Sequence, residues 1–313
     1  MTEELLSISI PTRNRSIYLK ELLESIKINL KELIKAEGCQ KVGVYVYDND
    51  SDDSTKEIVD SAGFEICYEK HEKDIGGDPN IFHAYTKPKG KYIWVIGDDE
   101  LIPPNMLTYL LDLIKKYEPG LIVNKSIEYN TLVKIPHYFK NYKEFCLFAE
   151  KNNPHLLIAH SLISANIIRK DCFNKEIALK MIKQNYGHFY GMIDGLYQTD
   201  ASITFAQAPT LIVRDTRATQ DAPEPEYVAR LEMNQINYLN WLKNRYDLLS
   251  LQPERVNPDY SQRINWFNFK RKPFSFLAGY VYRFLFNLFP FMQPVLKSII
   301  NYYRLMRYGE PKC

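Results

Sequence analysis

The chain has 313 residues, enough to bury a sizeable core in one large domain or two smaller ones. With 45% hydrophobic and 25% charged residues it has ordinary globular usage, which excludes collagen-like, low-complexity and disulfide-scaffold classes. The net charge of +2 hides an asymmetry: the last 51 residues hold nine basic side chains against one acidic, Glu310, so they carry +8 and the first 262 carry −6. Those 51 residues also hold 14 of the aromatic side chains, half of the Phe among them.

Five widely spaced cysteines without a C-x-x-C pair argue against a disulfide framework or a zinc finger and for a reducing compartment. The N-terminus has no positive stretch followed by an apolar one, so the body is expected in the cytoplasm.

Along the first 110 residues strand and helix patterns alternate. Leu5 to Pro11 reads as a strand, and Ser16 opens a helix whose apolar positions run Ile17, Leu19, Leu22, Leu23, Ile26, Leu30, Leu33, Ile34 before Gly38 ends it. Val42 to Tyr47 is a β-branched and aromatic strand, Ser54 to Ala62 a helix for which Asp53 is the cap, and Phe64 to Glu69 a third strand. Tyr92 to Ile96 is an apolar strand, and Asn105 to Lys116 an amphipathic helix. The pattern then mixes: strand-like Leu121 to Asn124, aromatic Tyr138 to Phe148, an apolar run Leu156 to Ile168, a helix Phe189 to Gln198, strand-like Ile203 to Ala206 and Thr210 to Val213, and a helix Tyr227 to Leu249. Alternating strands and helices predict an α/β fold, a mostly parallel, Rossmann-like sheet flanked by helices, whose ligands bind outside the carboxyl ends of the strands.

Polar clusters follow three of these strands. The first delivers Pro11-Thr12-Arg13-Asn14-Arg15, whose amides and guanidinium groups suit a phosphorylated ligand. The second delivers Asp48-Asn49-Asp50-Ser51-Asp52-Asp53, in which a carboxylate can accept from a nucleobase edge. The strand Tyr92 to Ile96 delivers Gly97-Asp98-Asp99-Glu100, carboxylates beside a glycine that lets a metal-bound diphosphate approach. His71, His83, His137, His155 and His160 show no metal-ligand spacing.

The strings Ser9-Ile10-Pro11-Thr12-Arg13-Asn14-Arg15, Tyr47-Asp48-Asn49-Asp50-Ser51-Asp52-Asp53, Ile75-Gly76-Gly77-Asp78-Pro79-Asn80 and Lys91-Tyr92-Ile93-Trp94-Val95-Ile96-Gly97-Asp98-Asp99-Glu100 occur in register. Together they resemble family-two inverting glycosyltransferases of the GT-A fold, and within them the abequosyltransferase-type enzymes of bacterial O-antigen assembly. The resemblance implies Pro11, Thr12, Arg13 and Arg15 beside the nucleotide, and Asp48 with Asn49 and Ser51 at the base. It implies that Gly76, Gly77 and Asn80 line the nucleotide-sugar pocket. Asp98 and Glu100 would hold a divalent cation, Mg or Mn, with Asp99 toward the sugar or ribose. Glu100 stands where the family usually has Asp, and Pro79 where many relatives have Arg. The family's general base falls at His188, with Asp194 one to two turns on, and both stay open; Arg214 and Arg217 fall on the loop that closes over the diphosphate.

Lys270-Arg271-Lys272 precedes uncharged runs broken by Arg283, Pro290 and Pro294, too short to span a bilayer and suited to an amphipathic interfacial extension. The expected organisation is therefore a nucleotide-sugar-binding half, 1–120, an acceptor-binding half, 121–250, and a membrane-associating helical extension, 251–313, meeting an anionic surface through 263–313. The expected partners are a nucleotide-diphosphate sugar and a lipid-linked glycan or surface-polysaccharide acceptor, on the inner face of the cell membrane. A homo-oligomer interface is the other use for the tail, and no nucleic-acid fingerprint accompanies its charge. A non-catalytic assembly protein with a degenerate site and a sugar-nucleotide pyrophosphorylase remain alternatives, the second without its Gly-rich Arg-Lys signature.

Overall fold

The computed structural model describes residues 4–38, 41–125, 135–154, 156–159, 162–184, 187–209, 212–213, 237–248 and 251. By contacts the chain divides into Met1–Gln220 with Leu231–Pro253, and Asp221–Arg230 with Glu254–Cys313; every element below belongs to the first unit. Arg214, Arg217, the cationic aromatic tail and the first ten residues of the helix expected from Tyr227 lie outside the described residues.

Strand β1 (Leu6–Thr12) sits between β2 (Val42–Asp48) and β4 (Tyr92–Val95), with β3 (Cys67–Lys70) at the edge, all parallel. Leu6, Ile8 and Ile10 alternate with Ser7 and Ser9, so two chemistries face opposite sides of one strand. The aliphatic side packs on helix α1 (Ser16–Glu37), through Leu19, Leu22, Leu23, Ile26, Leu30 and Leu33, and on α4 (Met106–Tyr117). Ile17 and Ile34, expected on that stripe, point outward because they fall off the buried face. Helix α3 (Gly77–Thr86) lies against β1, β2 and β4 and against α8 (Gly187–Thr199).

The helix starts are braced at long range. Asp53 accepts from Ser16 N at 2.9 Å and from Thr55 N at 3.1 Å, so one carboxylate satisfies the first turns of both α1 and α2 (Thr55–Asp60). Buried Asn29 of α1 accepts from Met106 N at 2.9 Å and caps α4, while Asn105 takes a left-handed turn at φ 62°.

Beyond β4 the sheet turns mixed. The apolar run from Leu156 resolves into a short helix α6 (Leu156–Ala159), a 3-10 turn (Ile163–Ala165) and strand β8 (Asn166–Arg169). Strand β8 runs antiparallel between β4 and β6 (Leu121–Lys125), β6 pairs in parallel with β9 (Ile203–Pro209), and β7 (Tyr138–Phe139) closes the edge. The sheet thus continues without a break, in the order β3-β2-β1-β4-β8-β6-β9-β7. Strand β5 (Glu100–Leu101) and β10 (Ile212–Val213) form a small separate pair.

Gly187, Gly191 and Gly195 form one stripe of α8. A Cβ on Gly195 would lie 2.1 Å from Cys172 O and one on Gly191 2.6 Å from Asn174 O, so only glycines let α8 settle onto α7 (Lys175–Lys180) and the turn before it. The opposite face of α8 joins an aromatic cluster: Phe189 meets Tyr238 of helix α9 (237–246) at 4.8 Å between ring centres, and Tyr142 of α5 (Tyr142–Asn152) meets Tyr246 at 5.4 Å. Cys67, Cys146 and Cys172 are free thiols. Among the described residues no helix is long and apolar enough to cross a membrane.

Candidate active site

The carboxyl ends of β1, β2 and β4 meet along one edge of the sheet. Thr12 is the register partner of Asp48, and its hydroxyl donates to Asp98 Oδ2 at 2.7 Å, so three polar strand ends share one locus. All three side chains are buried.

The loop after β1 is tied to the loop after β2. Asn14 takes φ 52°, its N–H donates to Ser51 Oγ at 2.9 Å, and its side chain accepts from Asp52 N at 2.9 Å. Arg15 leaves this turn and bridges two carboxylates, reaching Asp98 Oδ1 at 3.0 Å and Asp99 Oδ2 at 2.6 Å. Arg13 points the other way and pairs with Asp74 Oδ2 at 2.6 Å. Pro11, next to Thr12 on β1, pairs in register with Tyr47.

Asp48 accepts from Ser51 N at 2.8 Å and from the Tyr68 hydroxyl at 2.5 Å, which fixes its plane at the end of β2. Asn49 donates to Asp74 Oδ1 at 2.6 Å and accepts from Ile75 N at 2.9 Å. Asp74 also receives Gly76 N at 2.8 Å, so it ties the β3–α3 loop to the ends of both β1 and β2. Gly76 has φ 90°, a conformation that favours glycine, and a Cβ on Gly77 would meet open space. Asn80, buried in the first turn of α3, donates to Tyr47 O at 2.9 Å.

The acidic triplet divides by exposure. Asp98 and Glu100 are buried, and Asp99 is about a quarter exposed, its side chain at 27%. Glu100 Oε1 accepts from the Ser164 hydroxyl at 2.7 Å and Oε2 from Gly97 N at 3.1 Å. Burial pushes the Asp98 carboxyl up to about 6, against the opposing pull of Arg15 and Thr12. Burial pushes Glu100 up to about 7, more than the Ser164 and Gly97 hydrogen bonds draw it down. Two penalised carboxylates at a strand end, offering only oxygen, fit a hard divalent cation.

Ser164 belongs to the turn that links this triplet to α8. Its neighbour Ile163 accepts from the Tyr85 hydroxyl at 3.1 Å, and the Tyr85 ring lies flat against His188, 5.6 Å between centres and 7° from parallel. His188 is buried at the start of α8. Asp194, two turns along, faces elsewhere: it accepts from Asn174 at 2.8 Å and Gln198 at 2.6 Å and pairs with Arg245 at 2.6 Å. Val213 pairs with Glu100 across β10 and β5, which brings the chain to the residue before Arg214.

Sequence reasoning missed Asp74, Tyr68, Ser164 and Tyr85. A lone Asp in a polar loop and a lone Ser inside an apolar run carry no spacing signal, since their partners are 25 and 64 residues away.

A family model, Glycosyl transferase family 2, matches residues 7–176. Abequosyltransferase RfbV of Salmonella typhimurium is 24% identical over 263 residues, 79% of this chain and 76% of its own. Among solved structures, S. aureus TarS 1-349 in complex with UDP-GlcNAc aligns at TM-score 0.51 and 17% identity, over 80% of this chain and 69% of that one. The mannosyltransferase PcManGT of Pyrobaculum calidifontis, in complex with GDP-Man and Mn2+, aligns at TM-score 0.51 and 11% identity, over 99% and 89%. These likenesses show the GT-A fold that the motif resemblance implied. The family match spans more than half of the chain and takes in the strand ends from Thr12 to Glu100, so the chain belongs to glycosyl transferase family 2, a family of sugar-transferring enzymes.

Proposed function

We propose that the chain is an inverting glycosyltransferase that takes a sugar from a nucleoside-diphosphate sugar and passes it to a lipid-linked glycan or to a lipopolysaccharide or capsule precursor at the cytoplasmic face of the membrane. The observation that carries the reading is the convergence of Thr12, Asp48 and Asp98 through the Thr12–Asp98 hydrogen bond at 2.7 Å and the Thr12–Asp48 register.

In this reading Asp48 accepts from the base edge, while the turn 12–15 offers amides and the Arg13 and Arg15 guanidinium groups to the diphosphate. Gly76 and Gly77 leave the entry to α3 without side chains, and Asn80 keeps that helix tied to Tyr47 O. A divalent cation held by Asp98 and Glu100 would neutralise charge developing on the leaving diphosphate. Asp99, the more exposed carboxylate, faces the sugar or ribose.

His188 takes the acceptor hydroxyl proton as the acceptor oxygen bonds to the anomeric carbon and the bond to diphosphate breaks. The stacking of His188 on Tyr85, one turn removed from the Ser164–Glu100 contact, supports this choice over Asp194. Arg214 and Arg217 would donate to the departing diphosphate. The relatives bear on donor class: one TarS structure holds UDP-GlcNAc and PcManGT holds GDP-Man. RfbV, an abequosyltransferase, supports a surface-polysaccharide acceptor.

Release of nucleoside diphosphate from UDP-, GDP-, CDP- and dTDP-sugars, with and without Mn, tests the reading. One donor class should turn over, and Asp98→Ala should lower kcat/KM by about a thousandfold. No turnover of any donor, with nucleotide affinity unchanged in Asp98→Ala, sinks it.

A further inference from the structure

The fold brings together three side chains that chain spacing leaves apart. Glu69 and His71 follow one another at the carboxyl end of β3, and His83 lies on α3, 12 residues further on. A carboxylate oxygen of Glu69 and one ring nitrogen each of His71 and His83 all lie within 4.8 Å of one another. The two imidazoles meet edge to face, 5.0 Å between centres.

The protonation of His71 follows from its neighbour. Asn80 donates its amide Nδ2 to Tyr47 O at 2.9 Å, so its Oδ1 must face His71 Nε2, 3.1 Å away. Nε2 therefore carries the proton, and Nδ1 keeps the lone pair that a metal needs. His83 Nδ1 is buried and has no hydrogen-bond partner among the described residues.

We propose that Glu69, His71 and His83 form a binding site for a zinc-class transition ion, distinct from the hard-cation site at Asp98 and Glu100. Two imidazoles and one carboxylate suit Zn and its neighbours rather than Mg, which prefers oxygen alone. Ligand atoms around a tetrahedral ion with bonds of about 2.0–2.1 Å stand about 3.3 Å apart, so the group closes by at most about 1.5 Å on binding. The exposed Glu69 side chain supplies most of that movement. The ion would staple β3 to α3 across the loop that carries Asp74 and Gly76, and so stiffen the base-binding end of the nucleotide pocket proposed above; its binding does not depend on that pocket's function.

The test uses the full chain, freed of metal with a chelator and dialysed. Co(II) titration should give a ligand-field absorption band that saturates at one equivalent and is displaced by Zn(II). His71→Ala and His83→Ala should each weaken Zn(II) binding by about 100-fold, and Asn80→Ala, which frees the His71 tautomer, by about 10-fold. Glu69→Gln changes only an exposed side chain, so it reads the site even where a histidine variant fails to fold, and should weaken binding by about 10-fold. Asp98→Ala should leave the band intact. Unchanged Zn(II) affinity in Glu69→Gln and His71→Ala, absence of the Co(II) band, or its loss in Asp98→Ala would each overturn the site.

Discussion

Arg15 reaches Asp98 at 3.0 Å and turns the second arm of the same guanidinium to Asp99 at 2.6 Å. One fixed positive charge thus lies between Asp98 of the proposed cation site and its neighbour Asp99. A guanidinium there competes with an incoming cation and is also a ready donor for a diphosphate oxygen. Arg15→Gln should therefore tighten Mn(II) binding to the nucleotide-free protein by about 3- to 10-fold, read as depletion of the free-ion EPR signal. It should weaken nucleoside-diphosphate binding in the same samples. Weaker Mn(II) binding in Arg15→Gln would remove Arg15 from this role.

The buried carboxylates set a pH dependence with a definite sign. Asp98 rises from 3.8 to about 6 and Glu100 from 4.5 to about 7, both because burial penalises the charged form. The neutral forms are accommodated fully below the unfolded values, and that stability is lost as pH climbs through the folded ones. In chelator, then, the thermal midpoint should decline between about pH 4 and pH 7. Added Mn should raise it little at the low end and most at the high end, because the cation takes only the ionised forms. Ser164→Ala removes the hydroxyl that Glu100 accepts, raises Glu100 further, and should shift the Mn-binding curve to higher pH. A Mn response independent of pH would contradict this assignment.

Parallel strands and their polar ends were legible in the sequence because both signals are local. Apolar alternation marks β1 and β2, and Asp-Asn-Asp turns mark where they stop. Direction was not legible: the run from Leu156 to Ile168 holds β8, and an apolar strand reads alike whether it pairs parallel or antiparallel. Bracing residues were hidden for a related reason. Asn29 caps α4 across 77 residues, Asp74 joins three loops, and His71 and His83 become neighbours only once β3 packs beside α3. At His188 the sequence supplied a position, and the stack on Tyr85 supplied its link to the acidic triplet.

The tail makes a claim of composition alone. Residues 263–313 hold nine basic side chains with 14 aromatics, and they lie outside the described residues. Each basic residue near an anionic surface contributes about 1 kcal/mol, and exposed charge is screened within about 8 Å at physiological salt. The full chain should co-sediment with vesicles containing phosphatidylglycerol, decline as salt rises, and bind neutral vesicles less. Truncation after Gln262 should abolish the effect. Vesicle binding indifferent to truncation and salt, with an oligomer lost on truncation, would instead make the tail a self-association surface.

His188 and Asp194 share a helix and differ in what holds them. Asp194 is engaged by Asn174, Gln198 and Arg245, a set of donors that joins α7, α8 and α9. His188 rests on Tyr85, whose hydroxyl reaches the turn that also holds Glu100. A base must meet the acceptor hydroxyl, whereas a brace must keep helices together, and substitution separates the two. His188→Ala should lower kcat by about 10²- to 10⁴-fold with donor affinity and Tm near those of the parent. Asp194→Asn removes the charge that Arg245 pairs with, and should cost about 1–3 kcal/mol of stability, seen as a lower Tm, with kcat within a few-fold at a temperature where the variant is folded. The reverse pattern, a folded Asp194→Asn without turnover beside a working His188→Ala, would move the proton transfer to Asp194 and leave His188 as packing against Tyr85.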